Sequence, residues 1–319
     1  MRIGPWRIER ELGRGGMATV YAAVHSRFAK RAALKLAHRE AIGPTMTPEA
    51  FLREARMANL VDHAGVTEVF ATGSYDGRPY LAMERLAGRS LGAVLDEVGA
   101  LPRGEAIEIL LELCDVLAAA HAAGVTHRDL KLDNVFVLDQ IGAGGRRTKL
   151  LDWGMAKIAG EPDPLRGLIA GTLTYVAPEQ VRGEDITSAV DVYALGVLAY
   201  QLLVGQPPFA AKNDLELLDK HLRDEPPRPI ALAPDLPAAL DALMVAMLAK
   251  QPADRPALAE VARVLREAKT APRRPRAAPT VDLIGRPCVS WLGRKSARIA
   301  SAALGVALTL ASVALAVAG

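Results

Sequence analysis

His127-Arg128-Asp129-Leu130-Lys131-Leu132-Asp133-Asn134, followed by Leu150-Leu151-Asp152-Trp153-Gly154, decides how this chain is read. Carboxylates, an amide and a lysine stand close together, separated by an apolar run, Val135 to Leu138, that reads as a strand. Moving a phosphoryl group off a nucleotide asks for such a set. A carboxylate takes the proton of the attacking hydroxyl and a lysine screens the phosphate. An amide oxygen and a second carboxylate hold Mg²⁺. Either half alone is a weak signal; both in this order, with a strand pattern between them, are specific.

The bulk composition agrees with an enzyme-sized core. The chain has 319 residues, 50% of them apolar, enough for one large two-lobed domain or two ordinary ones. A net charge of +3 from 39 basic and 36 acidic side chains argues against a dedicated nucleic-acid binder. The basic excess is local, at Arg273, Arg274, Arg276, Arg286, Arg294, Lys295 and Arg298. Cys114 and Cys288 are too few for a disulfide framework, so a reducing compartment is expected. Met1 to Trp6 carries no signal-peptide pattern.

The quoted stretch resembles the catalytic loop and metal-binding turn of protein kinases, with Trp153 in place of the usual Phe. The resemblance implies that Asp129 is the base or hydroxyl-orienting group and Lys131 the γ-phosphate screen. Asn134 and Asp152 become ligands of Mg²⁺ or Mn²⁺. Arg128 braces the activation segment, His127 is structural, and Trp153 fills an apolar slot beside the first helix. Asp139 to Thr148, between the two motifs, is a hairpin turn longer than this class needs, and no function is assigned to it.

Upstream, Trp6 to Leu12 and Ala18 to His25 read as strands around Gly13-Arg14-Gly15-Gly16-Met17. Glycines here let the backbone approach phosphates, although a lone Gly-rich match is more often an ordinary turn. This one resembles the kinase phosphate-covering loop except that Ala18 stands for the third glycine. Arg31 to Ala37 reads as a strand with Lys35 inside it, which the resemblance makes the lysine of the α- and β-phosphates. A helix starts at Thr47-Pro48-Glu49, a cap followed by proline. Glu54, at the border of its apolar stripe, is expected to pair with Lys35; Glu49 belongs to the first turn and the helix dipole. Val66 to Ser74 and Pro79 to Glu84 read as a hairpin leading to the inter-lobe hinge. Tyr80 to Gly88 resembles the last strand and hinge between kinase lobes, and that resemblance puts Met83 behind the adenine pocket and backbone groups of Glu84 and Leu86 on the adenine edge. Leu12, Val20, Ala33 and Val137 sandwich the ring, unless they are core residues only.

Downstream the pattern is helical: Ser90 to Val98, then Arg103 to Ala123, whose inner stripe holds an inert Cys114 and a packing or capping His121. Gly154 to Glu179, ending in Ala177-Pro178-Glu179, resembles an activation segment. Thr172 fits the residue that bridges Asp129 and Lys131 in Ser/Thr kinases. Between Gly154 and Gly171 there is no Ser, Thr or Tyr, so Arg128 is expected to meet a loop carboxylate, Glu161 or Asp163, or solvent. Ser188 to Val204 is a core helix whose Asp191 needs a buried partner, which the resemblance makes the catalytic-loop backbone. Asn213 to Arg223, Leu236 to Lys250 and Ala257 to Ala268 complete the helices, and Arg255 resembles the kinase arginine that pairs with the Ala-Pro-Glu glutamate, here Glu179.

These motifs resemble the bacterial eukaryotic-like (Hanks-type) serine/threonine protein kinases. The implied fold is α+β: a β-rich N-lobe with one helix at about 6–84 and a helical C-lobe at about 88–268, within a kinase domain at 6–268. The implied reaction uses ATP and acts on protein substrates. Two rivals keep the fold, a pseudokinase scaffold and a small-molecule kinase. Residues 269–298 read as a Pro/Arg-rich linker. Ile299 to Gly319 runs without a charge, and at ~1.5 Å per residue spans roughly 30 Å, a bilayer's hydrocarbon core. A single-pass anchor in the cell membrane is expected, with the kinase domain cytoplasmic because the basic residues precede the run. The run is either a tail anchor or the start of something longer; self-association is left open.

Overall fold

The computed structural model describes residues 1–43, 47–163, 166–167 and 171–270. The N-terminal lobe is a six-stranded antiparallel sheet of β1 (Arg2–Ile3), β2 (Trp6–Arg14), β3 (Ala18–His25), β4 (Arg31–Ala37), β5 (Val69–Tyr75) and β6 (Arg78–Met83). Its order is β1-β2-β3-β4-β6-β5. The register places Val20 opposite Lys35 and Ala33 opposite Met83. Directly opposed residues share a face, and so do i and i+2, so Val20, Ala33, Lys35 and Met83 line one side of the sheet.

Helix α1 (Pro48–Leu60) covers that lobe. Thr47 caps it, its hydroxyl accepting from Ala50 N at 3.1 Å, and Pro48 fills the first helical position. Phe51, Ala55, Met57 and Ala58 form its buried stripe, and Glu54 lies buried among them. Phe51 and Ala55 pack with Ala18, Ala37 and Leu81. Ala18 thus spends its methyl on the lobe's core, which explains why glycine is not required there.

The chain crosses to the second lobe through β7 (Gly88–Ser90), which pairs with β9 (Val135–Leu138), itself paired with β10 (Thr148–Leu150). Gly88 has φ +146°, and a Cβ there would run into the Val137 carbonyl, so only glycine lets the crossing strand lie this close. The lobe is built from α2 (Leu91–Val98), α3 (Arg103–Ala122), α4 (Pro178–Arg182), α5 (Ala189–Val204), α6 (Asp214–Arg223), α7 (Pro229–Leu232), α8 (Ala238–Met247) and α9 (Leu258–Thr270). A small sheet, β8 (Val125–Thr126) with β11 (Lys157–Ile158), lies at its upper edge. Helix α5 is buried from Val190 through Tyr200, as a helix apolar on most faces must be. Cys114 is in the same core, where burial pushes its thiol up to about 12.

Several expected boundaries move. The helix read at 236–250 runs only from Ala238 to Met247, after Pro237. The strand read from Val66 starts at Val69, because Val66 and Gly65 instead meet Leu150 in the other lobe. The 139–148 segment contains a short 3₁₀ turn and a tether. Arg146 reaches Asp115 and His63, Glu112 accepts Thr148 N at 2.8 Å, and α3 thereby holds the turn in place. The linker and membrane run expected at 269–298 and 299–319 lie outside the described residues, apart from the first two of them. Among the described residues no helix is long and apolar enough to cross a membrane.

Two buried polar contacts hold the lower lobe. Arg255 meets Glu179 through two bonds of 2.6 and 2.7 Å, with both side chains 1% exposed. Removing one partner leaves a buried charge alone, so Arg255→Ala should cost about 3–5 kcal/mol in urea unfolding. His221 is fully buried, bonded to Tyr193 at 2.8 Å. Burial first, then the Lys250 charge, push its imidazole from 6.5 down to about 4. The unfolded chain takes up this proton before the folded one does. Stability should therefore fall as pH drops from about 6.5 to about 4, by about 3 kcal/mol. His221→Gln should flatten that part of the urea-midpoint profile; an unchanged acid limb would refute the assignment.

Candidate active site

The catalytic-loop stretch lies between β8 and β9 and is held from below by Asp191, which is 0% exposed in the first turn of α5. Its Oδ1 accepts from Arg128 N at 2.8 Å and its Oδ2 from His127 N at 2.9 Å. His121 Nε2 donates to the same carboxylate at 2.8 Å. Burial works against charge on Asp191, but these donors outweigh it and hold its pKa below the ordinary value. The bonds fix Arg128 at φ +70°, a strained conformation for a residue with a Cβ.

That fixed loop aims three side chains together. Lys131 Nζ is 2.7 Å from Asp129 Oδ2. Asn134 Nδ2 donates to Asp129 O at 2.7 Å and to Asp129 Oδ2 at 3.0 Å. The amide nitrogen is thus committed, and its oxygen is the atom left for a cation. Asp129 Oδ1 faces Gly171, at φ +98°, where a Cβ would stand 2.9 Å away. Glycine there keeps that oxygen open.

From above come Lys35 on β4 and Glu54 on α1, 2.6 Å apart, with Asp152 Oδ1 3.3 Å from the same ammonium. Burial would lower the Lys35 pKa, yet the two carboxylates overcome it and raise it. Burial also raises Glu54, against the pull of Lys35. Lys35 and Glu54 thus both hold on to their protons more tightly than usual. Asp152 goes the other way. Burial opposes its charge, but Lys35 and Lys131 keep its pKa below the ordinary value. It has φ +58° and accepts from Gly154 N at 3.4 Å.

Trp153 is 1% exposed, its ring edge-on to His127 at 4.6 Å, within the core cluster that also holds Met57 and Ala58 of α1. His127 in turn accepts from Asp129 N through Nδ1 at 3.3 Å and bonds Leu151 O through Nε2 at 3.1 Å, which places its proton on Nε2.

The remaining expected residues divide. Val20, Ala33 and Met83 share the sheet face that carries Lys35, Val137 is on β9, and Leu12, 40% exposed, is on β2 near its end. Gly13 belongs to β2, while Gly15 N bonds Ala18 O at 2.9 Å to close the turn that also contains Gly16. A Cβ on Gly13 would meet nothing within 4 Å, so the protein itself does not demand glycine there. Glu84 spends its N–H on Glu68 O at 2.9 Å and its side chain on Lys149 at 2.6 Å, leaving its carbonyl and the half-buried Leu86 for an adenine edge. Thr172 does not make the expected bridge. Lys131 reaches Asp129 directly, and Thr172, exposed, offers its carbonyl to Tyr175 N at 3.0 Å.

Two contributors carried no local signal. His121 was expected only to pack or cap, and Lys149 stood unremarked in a strand. Of the two loop acids, Asp163 meets Arg128 at 2.8 Å and Glu161 meets Arg56 of α1 at 2.8 Å. Loop composition had left Arg128 with one of these two acids or with solvent, without choosing between them.

The indole Nε1 of Trp153 has no partner among the described residues. An orphaned buried donor costs about 1–3 kcal/mol, which offsets the apolar area lost on shrinking the ring. Trp153→Phe should therefore change urea stability by no more than about 1 kcal/mol, while Trp153→Ala should lose about 3–5 kcal/mol. A large loss in Trp153→Phe would show that the N–H is satisfied after all.

Comparison with known proteins places this geometry. The protein kinase domain family matches residues 6–265. The serine/threonine-protein kinase Pkn1 of Myxococcus xanthus is 41% identical over 260 residues, 80% of this chain and 37% of that protein. The serine/threonine-protein kinase pkn3 of the same organism is 36% identical over 263 residues, 80% of this chain and 48% of its own length. PknA of Mycobacterium tuberculosis is 36% identical over 258 residues, 79% and 58% respectively. The chain thus spans well under two thirds of each of these relatives. With a family match over most of its length, and with Lys35, Glu54 and Asp152 brought together above the Asp129–Lys131–Asn134 group, the chain belongs to the protein kinase family, with bacterial Hanks-type serine/threonine kinases among its relatives.

Proposed function

We propose that this protein transfers the γ-phosphoryl group of ATP to serine or threonine hydroxyls of protein substrates. One observation carries the reading. The Lys35–Glu54 pair is closed at 2.6 Å while Asp152 faces the same lysine and Asp129, Lys131 and Asn134 are clustered below. In kinases this pair and the metal-binding aspartate must be in place together.

Each residue then has a task. Asp129 Oδ1, open beside Gly171, accepts the hydroxyl proton. Lys131 screens charge on the transferred phosphate, and Lys35, held by Glu54, takes the α- and β-phosphates. The backbone of Gly13, Gly15 and Gly16 covers the phosphates. Leu12, Val20, Ala33 and Val137 sandwich the adenine, Met83 closes the back, and Glu84 C=O and Leu86 N–H read its edge. Thr172 belongs to the substrate side.

The donor set fits a hard divalent cation. Asp152 supplies a carboxylate oxygen and Asn134 an amide oxygen, few enough that phosphates and water complete the shell, as Mg²⁺ or Mn²⁺ prefers. Among the described residues no cage of three or more acidic, His or Cys groups competes with this site. When bound, the cation neutralises charge that develops between the β- and γ-phosphates.

A pseudokinase scaffold is the weaker reading, since it would have no need of this assembled set. The kinase domain is taken as 6–268. The uncharged run 299–319, behind a basic linker, supports a single-pass anchor with the kinase domain on the cytoplasmic side. Sedimentation of full-length protein with membranes tests this, and a fully soluble full-length protein at physiological salt would refute it.

Purified protein incubated with labelled ATP, Mg²⁺ and a basic substrate protein should incorporate label on Ser and Thr. Asp129→Asn should lower turnover by about 10²–10⁴-fold with nucleotide affinity nearly unchanged. Asp152→Asn should weaken Mg²⁺-ATP binding as well. Equal transfer by wild type and both variants would sink the assignment.

A further inference from the structure

We infer that Asp163 is a positioning residue for phosphoryl transfer: its carboxylate does permanently what a phosphate on the activation segment does reversibly, so activity needs no phosphorylation of that segment. The inference rests on the kinase reading above.

Between Gly154 and Gly171 the chain has no hydroxyl to phosphorylate. Arg128, the residue that such a phosphate would order against, already has an anion. Its Nη1 lies 2.8 Å from Asp163 Oδ1, with the two side chains 4% and 8% exposed. A pair this buried is little screened, and removing either charge strands the other. Surface ion pairs seldom order a loop; this one is not at the surface.

The coupling to chemistry is one peptide long. Arg128 is the strained residue whose N–H bonds Asp191, and Asp129 follows it directly. Asp163 therefore fixes the guanidinium end of a residue whose backbone end is already fixed, leaving Asp129 no freedom to swing away. A second acid from the same segment works in parallel. Glu161 meets Arg56 at 2.8 Å, two positions along α1 from Glu54. At 60% and 34% exposure that pair is the weaker, and the buried contact carries most of the ordering. A phosphate brings about two charges and three acceptor oxygens to one point; here two single charges are divided between the catalytic loop and α1. Asp163 stands between Pro162 and Pro164 in sequence, which limits the conformations the segment must give up to place it.

The test uses full-length protein treated to completion with phosphatase, labelled ATP, Mg²⁺ and a basic substrate protein. Wild type should show a linear initial rate with no lag. Asp163→Asn, nearly isosteric, should lose at least about tenfold in kcat/KM at a temperature where it is fully folded, with fluorescent-nucleotide affinity within about twofold, although its melting temperature falls because the buried Arg128 loses its counter-charge. Asp163→Glu should recover most of the rate, which a purely steric role would not produce. Hydrogen exchange in residues 150–180 should accelerate in Asp163→Asn and not in Asp163→Glu. An active wild type that shows a lag abolished by prior autophosphorylation, for instance at Thr174, would overturn the inference while leaving the kinase reading intact. So would an undiminished rate in Asp163→Asn. A wild type that transfers no phosphate would overturn the kinase reading itself, and the inference with it.

Discussion

A single buried carboxylate, Asp191, is the constraint on which the active centre depends. It has no access to water, so it exists only because His121 and the backbone of His127 and Arg128 supply donors. The bargain runs both ways. Two peptide N–H groups of a strained loop would otherwise be orphaned, and the loop would relax away from φ +70° at Arg128. Because α5 is the most thoroughly buried helix, the loop inherits its rigidity. The side chains of Asp129, Lys131 and Asn134 are placed by a core helix to which none of them belongs.

The upper half of the site is held differently. Lys35 and Glu54 come from a strand and a helix of a smaller lobe, and electrostatics rather than packing joins them. Trp153 packs edge-on against His127 of the catalytic loop, in the same apolar core that takes in Met57 and Ala58 of α1. Asp152, one residue earlier, is thereby carried to Lys35. A motif that reads as a cofactor ligand followed by an odd aromatic is in structure a carboxylate beside Lys35 and a buried ring packed on the catalytic loop. The larger indole is accommodated with no partner for its nitrogen among the described residues, so shape and not hydrogen bonding decides its place.

Charge also explains why the activation segment can be hydroxyl-free. Arg128 sits where burial makes an unpaired cation costly, and any segment conformation that supplies a carboxylate is favoured over those that do not. The choice of Asp163 for this role, and of Glu161 for the exposed Arg56, follows accessibility: the shorter acid is the one inside.

Much of this was legible in the amino-acid sequence, because it is local. Thr47-Pro48 predicts the start of α1 since capping and proline geometry need only adjacent residues, and β4 and β9 match their apolar runs. Motif order was enough to name Lys35, Glu54, Asp129, Asn134 and Asp152 as one set. What sequence left open depends on pairs far apart along the chain. No pattern near His121 announces Asp191, seventy residues on. Nothing in the 139–148 turn announces its tether to Asp115, and nothing in the segment ranks Asp163 above Glu161. The direct Asp129–Lys131 contact, in place of a threonine bridge, is a matter of side-chain reach within a folded loop. Sequence thus determined which groups are present and which elements carry them. Tertiary structure decided which charges share a buried space, because desolvation makes pairing compulsory only once folding has removed the water.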